Sequence, residues 1–176
     1  MDYQKIITEL RKYYPFGISF MDNEYELSEQ FKYNRMVLKN QYFAEQENIE
    51  NIKQELCSVL NSEIEVYSFA AGHFCHHFTF FIENNRELYY SLLISSIIPY
   101  YTIRIVNSNN WETDFSTFGE KFPEKAKLIE GYVAKHFLGY QIIADDDLLN
   151  RPIEGVEVDE SNHPTLLMLA FTSILA

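Results

Sequence analysis

At 176 residues the chain is long enough to bury a core within one domain, and a composition 47% apolar or aromatic against 23% charged is that of a globular protein rather than a disordered one. Twenty-six acids against fourteen bases leave a formal charge of −12, which removes the sequence-independent attraction that drives nucleic-acid binding and disfavours anionic membrane surfaces. A basic protein is the partner such a charge favours, because opposite potentials speed encounter and penalise wrong partners.

The first predicted element is a helix from Asp2 to Tyr13, with Ile6, Ile7 and Leu10 at helical spacing. Pro15 and Gly17 turn the chain after it. Its opening, MDYQKIITEL, lacks the basic and then apolar regions of a secretory leader. Residues 18–42 fit a helix or a short strand, with Met36, Val37 and Leu38 the ambiguous stretch. Ala44 to Leu60 reads as a helix whose stripe is Ile49, Ile52, Leu56 and Val59.

The pattern then changes to strands. Glu63 to Phe69 alternates, His73 to Ile82 is rich in aromatics, and Asn84-Asn85 marks a turn. A third strand-like run starts at Glu87, Pro99 interrupts it, and Tyr100 to Val106 forms a fourth. Such short connections predict antiparallel pairing. The longest uncharged run, Leu88 to Ile103, contains Pro99 and falls short of the ~20 apolar residues of a membrane helix. Residues 107–122 read as a polar loop carrying the only tryptophan, Trp111. Pro123 suits the first turn of a helix with Ala126, Ile129, Val133 and Phe137 as its stripe, and Gly139 fits the position after its end. Residues 145–160 hold seven acids against one arginine, and Asp145 to Asp147 fit the cap of a short turn before Leu148 and Leu149. The tail from Pro164 is apolar and fits a buried helix or a late strand. The order predicts one α+β domain over 1–176: an antiparallel sheet of about four strands, with helices before and after it packed on one face.

The stretch AGHFCHHFTFF, residues 70–80, holds three of five histidines and one of two cysteines. On a strand His73, Cys75, His77 and Thr79 share one face, and Phe74, His76, Phe78 and Phe80 the other. Residues two apart on a strand project ~6.6 Å apart, near enough to share an ion, and His and Cys are proper zinc ligands. Three or four ligands are needed, and no second cluster, HExxH or CxxC is present. A thiol nucleophile at Cys75 requires a base from His73, His77 or elsewhere, because His76 points away. These residues define one alternative, a small metal- or thiol-dependent hydrolase using His73, Cys75 and His77. The plainer reading is that the row covers the less buried face of the sheet. Two cysteines are no disulfide framework, so Cys57 and Cys75 are read as free thiols in a reducing, cytoplasmic compartment.

No phosphate-cradling loop and no GxSxG elbow occurs, so no cofactor is expected. Two loops stand out as partner surfaces. One is Trp111 with Glu112 and Asp114, tryptophan being the residue type most enriched at interface hot spots. The other holds Asp145, Asp146, Asp147, Glu154, Glu157, Asp159 and Glu160. Aromatic strands leave a further alternative, self-association through a sheet face, and the oligomeric state stays open.

The phrases LRKYYPFGISFMDNEY, SIIPYYTIRIV, HFLGYQIIADDDLLNRPIEGVEV and TLLMLAFTS resemble small acidic bacterial proteins that accompany secreted interbacterial toxins as immunity proteins. Tyr14 to Ile18, Pro99 to Thr102 and Gly139-Tyr140 carry the resemblance. It implies a cytoplasmic, non-catalytic inhibitor that binds and blocks a cognate toxin, and it carries no catalytic residues with it.

Overall fold

The computed structural model describes residues 2–66, 74–81, 88–107, 112–113, 115–159 and 161–171; for residues 41–49, 66, 88, 107 and 112–113 it describes the backbone alone. Asp2 starts α1 (Tyr3–Leu10), its carboxylate accepting from the N–H groups of Gln4 (3.0 Å) and Lys5 (3.4 Å). Ile6 and Leu10 are fully buried, and the helix ends at Leu10 with Arg11 as its C-cap, earlier than Tyr13.

A short α2 (Asn23–Leu27) leads to α3 (Glu29–Leu60), whose 32 residues resolve the ambiguous stretch 18–42 largely as helix. Three local reasons fix it. Ser28 caps the start by accepting from the Phe31 N–H at 3.2 Å, Glu29 lies favourably in the first turn, and residues 29–60 contain neither glycine nor proline. Asn61 ends it in the left-handed region at φ 48°, which asparagine tolerates better than most residues.

Four strands follow as expected: β1 (Ile64–Val66), β2 (Cys75–Phe81), β3 (Leu88–Ser95) and β4 (Tyr100–Asn107). They pair antiparallel in chain order. Two further short strands, β5 (Glu112–Thr113) and β6 (Gln141–Ile142), share the outer edge of β4, and β6 runs parallel to it. The predicted loop 107–122 is therefore corrected in part: it contains β5 and α4 (Phe115–Lys121). Phe115 and Phe118, three residues apart, turn one side of that short helix into core, which a polar composition conceals. Next come α5 (Pro123–His136), α6 (Asp146–Leu149) and α7 (Leu166–Ala170). The apolar tail thus starts as a buried helix, with Thr165 accepting from the Met168 N–H at 3.3 Å.

The α+β class holds, with helices before and after the sheet. On one face Phe78, Phe80, Tyr90, Leu92, Ile94, Tyr101, Ile103 and Ile105 pack against Leu56 and Leu60 of α3, Phe118 of α4, and Ile129 and Val133 of α5. Each such side chain contributes roughly 1.5–3 kcal/mol when fully buried. Cover is not confined to that face. Cys75, Leu93 and Tyr100 from the opposite face join Ile6, Leu10, Leu149, Leu166, Leu167 and Phe171 in a second cluster. The row Cys75, His77, Thr79 is consequently 0%, 5% and 4% exposed, which corrects the expectation of a less buried face. The cause is non-local: α1, α6 and α7, from the two ends of the chain, close over it. Among the described residues no helix is long and apolar enough to cross a membrane.

Candidate functional site

The acid-rich segment is built on a pinned backbone. Asp145 caps α6, its carboxylate accepting from the Leu148 N–H at 3.0 Å, and Leu149 is fully buried beneath. Pro152 bridges to Thr165, and the Ile153 N–H donates to the Pro164 carbonyl at 2.8 Å. Ile153 and Val156 are each 1% exposed, so the chain is anchored on both sides of Glu154. Gly155 turns at φ +77°, a conformation that favours glycine, and its carbonyl accepts from the Gly17 N–H at 2.7 Å. Val158 and Ser161 exchange backbone hydrogen bonds at 2.9 and 3.0 Å.

On this frame Asp145, Asp147, Glu154 and Asp159 are exposed. Two other acids named from the sequence have partners within the chain. Asp146 pairs with the guanidinium of Arg104, which is 2% exposed on β4. Glu157 accepts from the Ser19 hydroxyl at 2.6 Å and the Phe20 N–H at 3.0 Å. Those two hydrogen bonds, the hydroxyl first, hold its carboxyl below the usual glutamate value, with a smaller pull from His163. Trp111, Asp114 and Glu160 lie outside the described residues, and of Glu112 the backbone alone is described, in β5. β5 pairs with Ile105 and Val106, whereas β6 pairs with Tyr100 and Tyr101. β5 and β6 therefore meet opposite ends of β4, roughly 17 Å apart along the strand.

Behind the Asp146–Arg104 pair is a buried polar row, of which the sequence places His77 and Thr79 on one strand face but leaves Ser91, Ser95, Thr102 and Arg104 unassigned. His77 Nε2 lies 3.0 Å from Ser91 Oγ and 3.4 Å from Thr79 Oγ1. Thr102 donates its hydroxyl to the Ile143 carbonyl at 2.7 Å, tying β4 to the residue that follows β6. Ser91 stands opposite both Thr79 and Arg104 in the register. The signal for this row was present as polar residues at even strand spacing, Ser91 and Ser95 four apart on β3 and Thr102 and Arg104 two apart on β4.

Chemically the row is an interior hydrogen-bond network. Cys75 is fully buried among apolar side chains of the second cluster, the setting of a small hydrophobe rather than of an attacking thiolate. His76 lies on the other face, its ring 5.4 Å from that of Phe137, and His73 is outside the described residues. Among the described residues no three His, Cys, Asp or Glu side chains group to hold a metal ion. Comparison with family models, curated proteins and solved structures finds no match for the chain.

Proposed function

We propose that the chain is a non-catalytic binding protein, an immunity protein that blocks a cognate secreted toxin inside the producing cell. The observation that carries the proposal is the placement of four exposed carboxylates, Asp145, Asp147, Glu154 and Asp159, on a backbone anchored by buried Leu149, Ile153 and Val156. An acidic ridge that is already ordered loses little conformational freedom on binding, so more of its electrostatic gain appears as affinity. A toxin with a basic groove is the complementary partner, with the ridge standing where a polyanionic substrate backbone would lie. The seclusion of Cys75 and His77 within the fold supports a role exerted by surface rather than by bond making. The test is to purify the chain with the product of the adjacent reading frame. A stoichiometric complex is expected, and absence of any complex at micromolar concentration overturns the proposal.

A further inference from the structure

We infer that a second surface feature, a cleft between α1 and the segment following α6, binds a small oxyanion: a phosphoryl or carboxylate group on a hydroxyl-bearing molecule. The cleft has a volume of about 340 Å³, within the range of small-ligand sites, and its lining includes Tyr3, Gln4, Arg11, Phe16, Arg151 and Glu154. One guanidinium comes from each wall, Arg11 from the end of α1 and Arg151 from the turn after α6. Each is stacked on an aromatic ring: Arg11 lies 4.7 Å from the Phe16 ring centre and Arg151 4.4 Å from that of Tyr3. Stacking occupies the flat face of a guanidinium and leaves its in-plane N–H edges to grip two oxygens of an anion.

Lys12, Lys32, Lys127, Lys135 and Arg104 each lie against a carboxylate. Among the described residues neither Arg11 nor Arg151 has a carboxylate within ion-pair distance, in a chain whose net charge is −12. Among the described residues Lys5, Arg35, Lys39, Lys53 and Lys121 likewise have no ion pair, and what sets Arg11 and Arg151 apart is that both, without a carboxylate partner, line the same cleft. The nearby acid of α1, Glu9, is already held by Lys12 at 2.5 Å. The walls are fixed before any ligand arrives. The hydrogen bond from Gly17 to Gly155 ties the turn after Phe16 to the turn after Glu154, and Ile153 is buried behind. Glu154 supplies the selectivity. A carboxylate on the same lining repels a bare dianion and accepts a hydrogen bond from a ligand hydroxyl.

Calorimetric titration of the full chain at constant ionic strength tests this, with glycerol 3-phosphate, inorganic phosphate, glycolate and acetate as probes. Saturable binding at one site is expected, tighter for the hydroxyl-bearing member of each pair, and the stronger pair identifies the phosphoryl or the carboxylate as the head group. R11Q and R151Q are each expected to weaken binding at least tenfold. R151K, which keeps the charge and loses the fork, should weaken it by several-fold. E154Q should tighten inorganic phosphate several-fold and narrow the preference for a hydroxyl. Both arginines are exposed, so circular dichroism should show these variants folded. Failure of all four probes to saturate, or affinities unchanged by R11Q and R151Q, overturns the inference. Glu154 borders both surfaces, but the test of protein binding substitutes Asp145, Asp147 and Asp159 and the test of the cleft rests on Arg11 and Arg151, so either proposal can fail without the other.

Discussion

Asp146 on α6 reaches under the edge of β4 to hold the Arg104 guanidinium, an arginine only 2% exposed paired with a carboxylate 41% exposed. Removing one member of a buried pair leaves the other charge in a poor solvent, at about 3–5 kcal/mol when both are buried. The exposure of Asp146 lets water replace part of the loss. Asp146→Ala should therefore lower stability by about 1–3 kcal/mol, and Asp147→Ala next to it by less than about 0.5 kcal/mol. Urea unfolding of the two variants checks the contrast, and equal midpoints would show that the pair does not anchor α6.

Glu157 gives the acid side of the stability curve a specific origin. Its folded pKa is lowered by hydrogen bonds from the Ser19 hydroxyl and the Phe20 N–H. A depressed carboxyl stabilises the fold above its unfolded pKa and loses that contribution as pH falls toward the folded one. NMR titration of the Glu157 carboxyl should find a midpoint below that of ordinary glutamates, and Ser19→Ala should move it upward. A midpoint unmoved by Ser19→Ala would remove the hydroxyl as the main cause.

At the alkaline end the tyrosines act in the opposite sense. Burial pushes Tyr101 up to about 12, aided by Glu130, and burial, then the charge and hydrogen bond of the Tyr33 phenol, does the same for Tyr13. Tyr132 is raised as well, by burial and then Glu55. A raised folded pKa keeps its stabilisation below the unfolded value near 10 and loses it as pH climbs toward the folded one. Phenolate absorbance should rise in two stages, with a late group that coincides with unfolding. Titration of all thirteen tyrosines in one step near pH 10 would contradict this.

How much of this was legible in the sequence depended on range. Helix α5, with Pro123 at its start and Gly139 beyond its end, is local grammar, and so is the Asp145 cap of α6. The alternation of β2 was legible too, but the burial of its polar face was not. That burial depends on α1 and α7, segments from opposite ends of the chain. The same limit applies to the acids: Asp146 and Glu157 have partners 42 and 138 residues away, so nothing in their neighbourhood separates them from exposed Asp145 and Asp147. In α4 the misleading feature was composition, since a segment of mostly polar residues supplies Phe115 and Phe118 to the core.

That helix yields a direct check. Phe118 is fully buried with its ring 5.1 Å from Tyr90, 6.1 Å from Phe80 and 5.6 Å from Phe122. Phe118→Ala should cost about 3–5 kcal/mol in denaturant unfolding, as for a large core aromatic, and a loss under 1 kcal/mol would place residues 115–121 outside the core.

Thiol accessibility separates a sealed Cys75 from a reactive one. Cys57 is half-buried and Cys75 fully buried. A chromogenic disulfide reagent should modify one thiol readily in the native protein and the second at the rate of unfolding. Rapid modification of Cys75 in a Cys57→Ala background would reopen the nucleophile reading.

The proposal that an ordered acidic ridge engages a basic polypeptide is tested most directly by association kinetics with the product of the adjacent reading frame, across a range of salt. Neutralising three ridge acids at once, Asp145→Asn, Asp147→Asn and Asp159→Asn, should slow association at least tenfold at low salt and flatten its salt dependence, with the fold intact. An association rate indifferent to both salt and the triple substitution would contradict the account.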